Sequence, residues 1–110
     1  MPVRILIPLH EDDVAPRFDL ATDVLIVASS DIVEPKEHRV VVLPRASADQ
    51  ICHLAMTEKV QVVICGGIED TYYRYLVWKG IEVIDSVIGH YQSALNQYIR
   101  GTLQPGTILH

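Results

Sequence analysis

The chain is poor in cysteine, in aromatic residues outside one stretch, in positive charge and in long apolar runs, and each shortage excludes a class of protein. Two cysteines, Cys52 and Cys65, are too few for a disulfide framework. The first residues have no charged lead, apolar stretch and small-residue cleavage site in sequence, so a reducing cytoplasm is the expected compartment. No apolar run is long enough to span a bilayer, which excludes a membrane-spanning helix. Nine Lys and Arg stand against 14 Asp and Glu, a net charge of -5. The basic residues are scattered, so no stripe exists to neutralise nucleic-acid phosphates. Phosphate loops, dinucleotide fingerprints and nucleophile–base sets are also missing. The first apolar run, Arg4-Ile5-Leu6-Ile7, contains no acid, which leaves a two-metal nuclease without its carboxylates.

What remains is the pattern of one α/β domain spanning 1–110. Val3 to Leu9 reads as a buried strand, followed by a loop at Glu11-Asp12-Asp13 and Pro16. Asp23 to Ala28 and Glu37 to Leu43 read as two more strands, with turn chemistry from Ser29 to Pro35. Ser47 and Gln50 form a capping box before a helical face of Ala48, Ile51, Cys52 and Ala55. Val60 to Cys65 is a fourth strand, and the helix after Gly67 runs to about Lys79, with Gly80 as its stop. Ile81 to Ile84 is the last strand. Tyr91, Ala94, Leu95, Tyr98 and Ile99 form one face of a final helix that Gly101 ends. The tail after Leu103 is expected to be loosely held.

This order predicts a five-stranded mixed sheet: an antiparallel meander, then parallel strands added through helical crossovers. Right-handed crossovers give the strand order 3-2-1-4-5. Strand 1 is expected to be central, since its unbroken apolar run suits burial on both faces. The boundary between strands 1 and 4 is then a switch point with a crevice at its carboxyl end.

Two segments would face each other there, Ala15-Pro16-Arg17-Phe18-Asp19-Leu20-Ala21 and Val62-Val63-Ile64-Cys65-Gly66-Gly67-Ile68. Cys65 precedes a glycine pair and a helix start, where a thiolate would be favoured and could bind a soft metal. The plainer reading is a small core residue closing the strand. Gly66 and Gly67 could present amides to an anion, or they could serve a tight strand-to-helix turn. His10 and His90 follow strands on the same edge and complete a possible metal set with Cys65, although no short ligand spacing supports it. His90 could equally open the last helix. Arg17 could clamp an anion, or pair at the surface with Asp19 or Asp13. Phe18 reads by itself as a hydrophobic plug seating the loop.

These residues resemble the dinitrogenase iron–molybdenum cofactor biosynthesis family, small cluster carriers whose domain also ends the cofactor-assembly enzyme. The resemblance rests on Phe18-Asp19-Leu20-Ala21, Gly66-Gly67-Ile68-Glu69, Leu76 before Gly80-Ile81, and Gly101-Thr102-Leu103. It implies a ribonuclease H-like three-layer α/β/α fold. It also implies a non-catalytic carrier of an anionic iron–molybdenum–sulfur or other metal–sulfur cluster, exchanged with donor or acceptor proteins. Cys65, Gly66, Gly67, Arg17 and Phe18 are the positions it marks for the cluster. Asp19, Arg17 and Glu69 depart from the Gly, His and Gly common there.

Tyr72, Tyr73, Tyr75 and Trp78 place four of seven aromatics on one helix, 70–79. Their directions cover most of its circumference, so some must face outward and could anchor a partner or a second copy. A protein-interaction module that has lost the cluster is therefore the second expectation.

Overall fold

A computed structural model describes residues 3–28 and 38–109. The expected turn from Ser29 to Pro35, and Glu37 at the start of the third expected strand, fall outside the described residues. Among the described residues six strands form: β1 (Arg4–His10), β2 (Asp13–Val14), β3 (Asp23–Ala28), β4 (Arg39–Val42), β5 (Val62–Ile64) and β6 (Glu82–Ile84). Three helices accompany them, α1 (Ala48–Thr57), α2 (Asp70–Trp78) and α3 (Tyr91–Arg100), and a short 3-10 turn covers Phe18–Leu20.

β1 is central, with Ile5 to Leu9 all buried. It runs antiparallel to β3, with Ile5 opposite Val27 and Ile7 opposite Leu25, and parallel to β5, with Ile5 opposite Val62. Pro8 lies beyond the last paired position with β5, so its missing N–H does not break that ladder. The sheet path is β4-β3-β1-β5-β6, with β2 paired to β1. The expectation of five strands in the order 3-2-1-4-5 is corrected here. Among the described residues there are six, and the order reads 4-3-1-5-6 because Asp13–Val14 is a strand of its own and takes second place along the chain; the five expected strands keep their relative places on the path. Tertiary bonds hold it: Val14 N donates to Gly89 O and Ala15 N to Pro8 O, each at 2.8 Å. Two residues leave no periodicity for a sequence to display.

The alternation of side chains along the strands divides the core. Leu6, Val24, Ile26 and Val63 pack on one face with Ile51, Cys52 and Ala55 of α1 and Leu76 of α2. Ile5, Ile7, Leu25, Val27, Val62 and Ile64 pack on the other with Ala94 and Leu95 of α3. The result is three layers, helix–sheet–helix. Ser47 caps α1, its Oγ accepting from Gln50 N at 3.2 Å. Gly101, at φ 74°, closes α3 in the left-handed region that glycine adopts freely. The tail is not loose: Leu103 is buried, Gly106 N donates to Asp85 O, and Leu109 N donates to Ile88 O. Among the described residues no helix is long and apolar enough to cross a membrane.

Candidate functional site

β1, β5 and β6 are mutually parallel and β3 opposes β1, so the ends of the first three and the start of β3 share one edge. The two segments singled out in the sequence do meet at that edge. Gly67 N donates to Pro16 O at 2.7 Å, Phe18 N donates to Gly67 O at 2.8 Å, and Arg17 bridges Gly67 in parallel. The chain's own loop therefore bonds across the crevice between β1 and β5. A Cβ on Gly66 would lie 2.3 Å from Ala15 O and 2.6 Å from Pro16 O, which only glycine avoids. The glycine pair thus serves the approach of two backbones. Gly67's amide is already engaged by Pro16, as the tight-turn reading of the pair requires, and it is not open to an anion in this arrangement.

Cys65 is fully buried in the core on the α1 and α2 side. Its N donates to Ile84 O and its O accepts from Val87 N, both at 3.0 Å. Burial, with the charge of Asp85 adding to it, pushes the thiol up to about 12. Of the two readings of Cys65, this burial fits the small core residue that closes the strand, with its thiol favoured in the neutral form. Burial, and then Asp49, likewise push Cys52 up to about 11.

The histidines separate. His90 caps α3, with Nδ1 accepting from Gln92 N at 3.0 Å and its ring stacked on Tyr91 at 4.9 Å between centroids. His10 is exposed at the end of β1. Among the described residues no three His, Cys, Asp or Glu side chains are grouped as a metal site requires. The set Cys65, His10 and His90 is therefore not assembled: its thiol is sealed in the core and one imidazole is used as a cap. Phe18 is a plug, 1% exposed, with its ring 6.3 Å from that of Tyr72.

Beside the closed crevice, the loop after β2 and the start of β3 enclose a cleft of about 640 Å³. Leu9, Ala15, Pro16, Leu20 and Ala21 are its apolar lining, and His10, Glu11, Arg17, Thr22 and Asp23 are its polar groups. Of the residues marked in the sequence, His10 and Arg17 line it. Leu9, Glu11, Leu20, Thr22 and Asp23 were not marked. The one signal available was Leu20, an apolar residue within a charged loop, which is 63% exposed. Arg17 meets Asp19 in a two-pronged pair, Nε to Oδ1 at 3.1 Å and Nη2 to Oδ2 at 2.8 Å.

Sheet, loop and cleft describe a small α/β protein with an open recess at the carboxyl edge of its sheet. The chain belongs to the dinitrogenase iron–molybdenum cofactor family, whose model matches residues 1–101. No curated protein sequence matches it. It is similar in fold to protein PH0822, with 22% identity, 94% of each chain covered and a TM-score of 0.81. It is also similar to the apo form of the orange protein of Desulfovibrio gigas, at 18% identity over 93% of this chain and 91% of that one, TM-score 0.75. Protein MJ0327 of Methanococcus jannaschii matches at 20% identity over 96% and 93%, TM-score 0.74.

Proposed function

We propose that this protein is a non-catalytic carrier or accessory protein for an anionic metal–sulfur cluster of the iron–molybdenum type, taken as cargo in the cleft beside β1 and β3. The observation that carries this reading is the cleft itself, about 640 Å³, with His10 and an Arg17 guanidinium paired to Asp19 standing beside Glu11 and Asp23 among apolar walls. Family membership supports it. His10 would offer one nitrogen to a soft metal, Arg17 one positive charge, and Leu9 and Leu20 contact with weakly hydrated sulfide. One donor in place of three or four suits a protein that must release what it holds. On the same resemblance we read the fold as ribonuclease H-like, residues 1–110 as one unit, and the partners as cytoplasmic proteins that donate or accept the cluster.

The test is titration of tetrathiomolybdate into anaerobic protein, followed by visible absorption. His10→Ala should weaken binding roughly tenfold, the equivalent of about 1.4 kcal/mol. Cys65→Ala should leave it unchanged. Binding lost in Cys65→Ala and kept in His10→Ala would move the site back to the closed crevice; binding by no variant would end the carrier reading.

A second reading, an interaction module associating through α2, is favoured by one feature. Trp78 is 76% exposed and Val77 48%, at the end of a helix whose inner face is held by Leu76. Lys79 Nζ stands 4.7 Å from the Trp78 ring centroid, a cation–π contact made at the surface.

A further inference from the structure

Arg17 and Asp19 stand two residues apart around the 3-10 turn, yet Arg17 lines the cleft and Asp19 does not. Both prongs of the guanidinium used in the pair are filled by the two oxygens of one carboxylate. That is the geometry by which arginine grips any anion with two adjacent acceptor atoms. The two side chains are 56% and 27% exposed, so water reaches the pair and it is weak enough to exchange. Glu11 and Asp23 line the same cleft. With Asp19 in place, three carboxylates stand against Arg17 and His10, so of two anions of equal shape and charge the strongly hydrated one is disfavoured more. Leu9, Leu20 and Ala21 favour a ligand whose body is poorly hydrated.

We propose that Asp19 is an internal competitor for Arg17. An anion with two adjacent acceptor atoms on a soft or apolar body enters the cleft by replacing the Asp19 carboxylate on the guanidinium. Asp19 is then the residue that sets which anions the cleft accepts and how tightly, and thioanions bind better than the equally shaped, strongly hydrated oxyanions. The inference rests on the carrier reading for the kind of ligand, but the exchange on Arg17 can be measured without it.

The experiment compares the wild type, Asp19→Asn, Arg17→Gln and the double variant as ¹⁵N-labelled full chains, with tetrathiomolybdate and then molybdate as probes. The readouts are visible absorption and the Arg17 Nε–H resonance. Asp19→Asn should bind tetrathiomolybdate about fivefold tighter at low salt, the most an exposed pair is worth. The gain should vanish in the double variant, molybdate should bind more weakly, and the Arg17 signal should move on binding. An equal gain in the double variant would reduce the effect to net charge and overturn the exchange, as would no gain at all. If tetrathiomolybdate binds nothing yet molybdate moves the Arg17 signal more in Asp19→Asn than in the wild type, the exchange on Arg17 holds, while the preference for thioanions and the carrier reading both fail. If neither anion moves that signal in any variant, the exchange is overturned.

Discussion

Cys65 and Gly66 are neighbours at the end of β5 and both are fixed by what presses on them. Adding a methyl at Gly66 drives it into the carbonyls of Ala15 and Pro16, which are main-chain atoms and cannot swing aside. Gly66→Ala should therefore cost about 1–3 kcal/mol, as overpacking does. A thermal melt should show the midpoint lowered by at least about 4 °C; an unchanged melt would mean the loop does not bond across the crevice in solution. Cys65 makes a different prediction. Its thiol, held up at about 12, should resist a thiol reagent at pH 8 until the protein is unfolded. The linkage has a definite sign. In the unfolded chain a cysteine loses its proton near its ordinary value of 9.0, whereas burial makes Cys65 and Cys52 in the fold keep theirs to about 12 and about 11. The folded state then binds more protons, so this contribution is fully present below about pH 9 and is lost as pH rises through the folded values. Urea titrations should show stability falling above about pH 9, less steeply in Cys65→Ala. In the sequence, the glycines announced a close approach without saying to what. Cysteine beside a helix start pointed to reactivity because burial, which decides the matter, depends on neighbours distant along the chain.

Among the elements, those with their own periodicity were legible and those made by tertiary bonds were not. The face of Tyr91, Ala94, Leu95 and Tyr98 with the Gly101 stop marks α3, and the structure ends that helix at Arg100. β3 runs from Asp23 to Ala28 as its apolar run indicated. The 3-10 turn of Phe18–Leu20 and the strand β2 had no such mark, and the chain that joins and follows them, from Ala15 to Asp23, forms most of the cleft wall. The pair depends on Val14 bonding Gly89 and on a turn at Glu11 with φ 55°, for which no glycine or asparagine gave notice. For α2 the expectation that its aromatics cannot share one core is met: Tyr72 and Tyr73 lie against the core, while Tyr75 and Trp78 face outward. Trp78→Ala should change stability by no more than about 0.5 kcal/mol, as exposed positions do. If α2 is an interface, the same variant should lower the mass measured by light scattering at micromolar concentration. An unchanged mass would leave the exposed indole without a partner of its own kind.

At the scale of the whole molecule, the sheet places every candidate group on one edge but divides that edge in two. Strand direction alone was enough to bring the loop of 15–21 against the end of β5, and that much was readable from chain order. What could not be read is that the loop would hydrogen-bond to Gly67 and fill the switch point, displacing the open recess to the β1–β3 side. A ligand should therefore enter on the β1–β3 side and leave the closed crevice undisturbed. The direct measurement is a ¹H–¹⁵N map of the backbone during titration with tetrathiomolybdate under anaerobic conditions. It should show the largest shifts at His10, Arg17, Leu20 and Thr22, with Cys65 and Gly66 little moved and the Gly67 amide still protected from exchange. Largest shifts at Cys65 to Gly67, with the Gly67 amide released to solvent, would contradict it.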